Sequence, residues 1–125
     1  MKPEEELAEI LGRLADDKKA VDTVVMDLGG LTDIADYFVI AGGTSERHVR
    51  TIADGIREGM KEKQVRPLAT EGYEEGRWVI LDFQSVIVHI FLASLRELYD
   101  LESLWIEAKR YRIRKESKDI EVGNE

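Results

Sequence analysis

Leu7, Ile10, Leu11 and Leu14 recur at the i, i+3, i+4, i+7 spacing that gathers apolar side chains on one helical face. Pro3 suits a first turn, and Glu4, Glu5 and Glu6 favour the positive end of the helix dipole. The spacing predicts a helix over residues 3–20 with one face in a core. Its polar side is acidic, which argues against an amphipathic helix lying on a membrane. The period changes at Val21, where VDTVVMDL reads as a β-branched strand closed by Gly29 and Gly30. After the loop GGLTDIA, the unbroken apolar run Tyr37–Ala41 predicts a strand buried on both faces. Helical spacing returns with Val49, Ile52, Ala53, Ile56 and Met60. Gly42 and Gly43 supply the turn before it, and Thr44 or Ser45 can cap it. Gly55 and Gly59 each weaken a helix by about 1 kcal/mol relative to Ala, a cost best explained by a close approach to the sheet.

Arg66-Pro67 interrupts the pattern, and Leu68–Thr70 is short enough for an edge strand beside a proline. A turn at Gly72–Gly76 precedes two further strands, Arg77–Phe83 and Val86–Phe91, close enough through Gln84 and Ser85 to form an antiparallel hairpin. Ser94-Leu95-Arg96-Glu97 fits a capping box and predicts a last helix carrying Leu98, Leu101, Leu104 and Trp105. From Tyr111 onward the chain is charged and aperiodic, the pattern of a disordered tail. There is no internal repeat. The order α-β-β-α-β-β-β-α predicts an α/β fold, a mixed sheet of about five strands flanked by helices.

Composition narrows the function. A chain of 125 residues suits one domain. The absence of cysteine excludes disulfides and thiolate zinc sites and fits a reducing, cytoplasmic setting. Neither a signal peptide nor an apolar run long enough to span a membrane is present. Net charge is −8, unevenly placed: residues 107–125 carry six bases against five acids, leaving −9 on the body. An acidic body repels a phosphate backbone and attracts basic proteins.

The strand-turn-helix stretch DYFVIAGGTSERHVR, residues 36–50, offers N–H groups and a helix dipole to an anion. It is neither a Walker A loop nor GxGxxG. It resembles the Gly-Gly/Ser turn of nucleotidyltransferases, which need two or three carboxylates on neighbouring strands to hold magnesium ions. Here Asp82 stands without a second acid two residues away, so the turn reads as structural. His48 and His89 form no HxH or HxxxH pair, and Ser45 with His48 lacks an orienting acid. No catalytic residue, metal or cofactor is expected. Trp78, Tyr99 and Trp105 stand near Glu74, Glu75, Asp82, Glu97, Asp100 and Glu102, a combination that either anchors a basic partner or fills a core. The run KRYRIRK, residues 109–115, reads as a solvated tail, with RNA contact and base stacking by Tyr111 as the alternative.

GLTDI at 30–34, ADYFVIAGGTSERHVR, Arg66-Pro67-Leu68, Glu71-Gly72, GRWVILDF at 76–83, VIVHIF at 86–91 and RELYDLESLW at 96–105 together resemble the ribosomal silencing factors, the RsfS/Iojap family, in order and spacing. The resemblance spans roughly residues 5–106. It implies an RsfS/Iojap-like domain over residues 1–106 with a charged tail over 107–125, and a nucleotidyltransferase-like fold without the catalytic carboxylates. It implies a non-enzymatic translation repressor that binds the large ribosomal subunit through ribosomal protein uL14 and blocks the small subunit. The implied contacts are Trp78 and Tyr99 as apolar anchors, Leu101 and Trp105 beside them, and Asp82, Arg96, Glu97 and Glu102 as polar partners. Tail contact with ribosomal RNA and a homodimer are further expectations. A nucleotide-binding protein and a ribosome-assembly scaffold are the competing readings.

Overall fold

A computed structural model describes residues 2–113. Its elements run α1 (Pro3–Asp17), β1 (Val21–Asp27), β2 (Tyr37–Gly43), α2 (Glu46–Glu62), β3 (Ala69–Glu71), β4 (Trp78–Asp82), β5 (Val86–Leu92), α3 (Ala93–Tyr99), α4 (Leu101–Leu104) and β6 (Lys109–Arg112). Six strands form one sheet in the order β3-β4-β5-β2-β1-β6. Among the described residues only the central pair, β2 with β5, is parallel. The sheet is mixed and flanked by helices, as the periodicities imply.

Alternation divides the strands between two cores. Val25, Val39, Val79, Leu81, Val88 and Ile90 face α1 and α2 and meet Leu11, Ile52 and Ile56. Val24, Met26, Phe38, Ile40, Ile87 and Phe91 belong to the opposite face. Every residue of β2 is buried, the outcome required of a strand with apolar groups on both sides. The close approach at Gly55 and Gly59 is to α1 and not to the sheet. A Cβ at Gly59 would stand 2.5 Å from Leu14, and one at Gly55 would stand 2.6 Å from Lys18.

Several boundaries differ from the sequence expectation; α1 ends at Asp17 and not at residue 20, and β4 spans Trp78–Asp82 and not Arg77–Phe83. The helix after β5 starts at Ala93 with Leu92 at its cap and no side-chain cap bond, so Ser94-Leu95-Arg96-Glu97 is not a capping box. That helix also breaks: Asp100 adopts φ 46°, ending α3 and allowing α4 to start in a new direction. The edge strand is Ala69–Glu71, one residue later than expected. Finally, Lys109–Arg112, assigned above to the tail, is a sixth strand antiparallel to β1. Its four side chains are all exposed. Its apolar anchors, Ala108 and Ile113, lie just outside it and bury on opposite faces. Tyr111 donates its hydroxyl hydrogen to Glu9 at 2.9 Å, so it is committed to α1 and not left to stack on a base. The remainder of the expected tail, residues 114–125, lies outside the described residues.

Candidate protein-docking site

The glycine turn after β2 is closed from within. Ser45 Oγ accepts the His48 N–H at 3.0 Å and caps α2. The Thr44 N–H donates to His48 Nδ1 at 2.9 Å, so Nε2 carries the ring hydrogen and donates to the Lys18 carbonyl at 2.8 Å. Two N–H groups that an anion would need are thereby occupied, and His48 ties the turn to the end of α1. A Cβ at Gly43 would stand 2.6 Å from Val49 Cγ2, so the helix packs directly against the turn. Asp82 lies elsewhere. It pairs with Ile87 at the start of β5, whereas Gly43 pairs with Leu92 at its end, about 17 Å along the sheet. Asp82 Oδ1 accepts the Gln84 N–H at 2.7 Å and closes the hairpin. Turn and carboxylate therefore cannot share a metal or a phosphate. Among the described residues, no group of three His, Asp or Glu side chains is placed to hold a metal ion.

The opposite sheet face has an unfinished surface. Trp78 on β4 stacks on Phe91 with centroids 4.9 Å apart, and Tyr99 from α3 lies 4.8 Å from Trp78. Beneath them His89 is only 6% exposed. The Trp78 indole N–H donates to His89 Nδ1 at 3.1 Å, which fixes the indole plane. Burial depresses the His89 pKa to about 4, so the ring is neutral at physiological pH and its Nδ1 remains an acceptor. Its Nε2 is buried without a hydrogen-bond partner. The Phe38 ring stands edge-on to the imidazole at 4.5 Å.

Two short helices roof only part of this face. Leu101 and Trp105 turn inward and are half-buried. Leu98 is 72% exposed, Tyr99 47%, Leu104 67% and Ile106 73%. Leu31, Leu104, Trp105 and Ile106 line a shallow groove of about 290 Å³. Several apolar side chains thus face solvent near one another, the arrangement expected of a protein-binding surface.

The polar residues implied by the family resemblance divide. Arg96 is committed internally: it pairs with Glu102 at 3.2 Å, and its Nη1 donates to the Val21 carbonyl at 3.2 Å. Both side chains are largely shielded, so the pair braces α3 against α4 and β1. Glu97 is exposed and lines a cleft of about 440 Å³ with Arg96, Asp100 and Glu102 at the carboxyl ends of β2 and β5. Asp82 shares the Trp78 face of β4 by strand alternation but stands four residues away, at the hairpin end. Trp78, Tyr99, Leu101 and Trp105 therefore gather on one face, while Arg96 and Glu102 serve the scaffold beside it. Sequence reasoning named Leu98 only as an apolar position of the last helix, and missed the exposed Ile106 and the support that His89 gives to Trp78. Eleven residues separate that pair in the chain, and only the β4–β5 register, with Trp78 opposite Phe91, brings them together.

The family model described as "Ribosomal silencing factor during starvation" matches residues 1–124, and so includes the segment after Trp105. The ribosomal silencing factor RsfS of Halalkalibacterium halodurans is 38% identical over 104 residues, 83% of this chain and 89% of that protein. That of Bacillus subtilis is 37% identical over 102 residues, 82% and 86% of the two chains. A crystal structure of a Chromobacterium violaceum protein superimposes with a TM-score of 0.80 at 30% identity, over 94% of this chain and 98% of that one.

Proposed function

Since the chain belongs to the family of ribosomal silencing factors, we propose that it represses translation in the cytoplasm by binding the large ribosomal subunit through ribosomal protein uL14. There it stands in the way of the small subunit. The mechanism is occlusion and involves no reaction. The observation that carries this reading is the aromatic face: Trp78 and Tyr99 are stacked together, partly exposed, and held from below by His89 and Phe91. Large aromatic side chains with little freedom left to lose are the usual anchors of an interface. The acidic body favours a basic ribosomal protein and speeds the encounter. Glu97 and Asp100 stand exposed near Tyr99 and supply carboxylates at the rim.

Sedimentation tests the reading. Added protein should travel with the large subunit and keep the subunits apart; normal joining at saturating protein would refute occlusion. Trp78→Ala and Tyr99→Ala should each weaken binding to large subunits and to isolated uL14 by roughly thirtyfold, about 2 kcal/mol, while the domain stays folded. Unchanged affinity in both variants would move the contact to another face.

A further inference from the structure

Helix α2 sorts its charges. Arg47, Arg50, Asp54, Arg57 and Lys61 follow one another at intervals of three and four residues. At about 100° per residue they share an arc of about 80° and extend for about 21 Å. Gly55 and Gly59 mark the side turned to α1. The basic row lies on the other side, above the β3–β4 edge, where Arg50 donates to the Glu74 carbonyl at 3.0 Å. Arg66, in the connection to β3, extends the row across a cleft of about 490 Å³ lined also by Pro67 and Thr70.

These cations have little internal employment. Arg47, Arg57, Lys61 and Arg66 make no ion pair among the described residues. The acid within the row, Asp54, already accepts the Tyr73 hydroxyl at 3.0 Å. Glu58 stands at the border of the cleft. The Arg57 guanidinium lies over the Tyr73 ring at 5.8 Å, which positions the group and leaves its N–H donors to solvent. Like charges at i, i+4, as in Arg57 and Lys61, disfavour the helix slightly and gain nothing from within the fold.

We infer that this row is an RNA-contact surface that takes the phosphodiester backbone, with Arg57, Lys61 and Arg66 meeting successive phosphates. Charges strung along a line match an extended polyanion, whereas a small anion needs donors converging on one point. The acidic remainder of the body repels RNA elsewhere and makes the contact directional. The inference rests on the proposed docking only for the source of the RNA. Trp78 lies on the other face of β4, so the two surfaces are separate and the α2 flank stays open when a protein is seated on Trp78.

The test uses the full chain and a labelled single-stranded RNA oligonucleotide, read by fluorescence anisotropy across a salt series. The triple variant Arg57→Gln, Lys61→Gln, Arg66→Gln should lose at least tenfold in affinity at low salt. Its salt slope should flatten by about 2, since each phosphate contact contributes about 0.7 on a single strand. Lys61→Gln alone should remove about one third of that, which guards against a folding defect in the triple variant. Trp78→Ala should leave oligonucleotide binding unchanged and the triple variant should leave uL14 binding unchanged, so failure of either reading is seen separately. Equal RNA affinity in wild type and triple variant, or no binding by the wild type, overturns the inference. Competition by polyglutamate or by inorganic phosphate as effective as by unlabelled RNA also overturns it, in favour of an acidic peptide or a small anion.

Discussion

The two faces of the sheet are finished differently. One is covered along its length by α1 and α2, of 15 and 17 residues, and its strand residues are sealed against Leu11, Ile52 and Ile56. The other is roofed by helices of seven and four residues that leave Leu98, Leu104 and Ile106 in solvent. The first face uses its apolar surface to fold. The second combines folding with a partly exposed aromatic cluster, and polar groups lie within that cluster: the buried imidazole of His89 and the indole it orients. The difference separates the residues that hold the domain together from those left at a partly exposed surface.

Substitutions can break or sharpen that division. The largest effect on stability belongs to the sealed face. Leu11→Ala should lower the unfolding free energy by about 3 kcal/mol in urea titrations, because a fully buried leucine leaves a cavity. Its effect on ribosome binding should be slight wherever the protein is folded, and an equal loss of both would merge the two roles.

The open face predicts a pH dependence of similar size. His89 has a folded pKa of about 4 against an ordinary 6.5, so the unfolded chain takes up the proton first. Its contribution is fully present above pH 6.5 and is lost as pH falls toward 4, by roughly 3 kcal/mol in all. His89→Gln keeps an acceptor for the Trp78 indole and should remove this part of the acid dependence, measured as the difference between the two unfolding profiles. Parallel profiles would place the imidazole in water. The smallest effect on stability belongs to the exposed rim. Leu98→Ser should change stability by less than about 0.5 kcal/mol while weakening large-subunit binding severalfold. A large stability loss would mean that Leu98 packs against the domain.

Much of the sealed face was legible in sequence, since α1 and α2 follow a period of 3.6 and the unbroken apolar run of β2 is buried throughout. The Ser45 cap was legible too, being local. The open face was legible only in part. Trp78 and Tyr99 came from family resemblance, because sequence alone left their burial undecided. The spacing of Leu98, Leu101, Leu104 and Trp105 suggested one helix with one apolar side, but the left-handed Asp100 turns two of these residues inward and two outward. Nothing in the residue type required Asp100 to break the helix. Strand β6 escaped because its side chains are polar and exposed, so its place depends on backbone pairing with β1 that leaves no period in the sequence.

That last pairing has a consequence for the order of synthesis. β1 finds β2 soon after both leave the ribosome, whereas Val24 waits for Arg112, and Val25 for Tyr111, until nearly all of the described chain has been made. Closing so long a loop is slow relative to local pairing. Trp105, which supports the open face, is joined to this late strand by the Arg110 guanidinium donating to its carbonyl at 2.7 Å. The aromatic face and its support are therefore among the last parts of the fold to be completed.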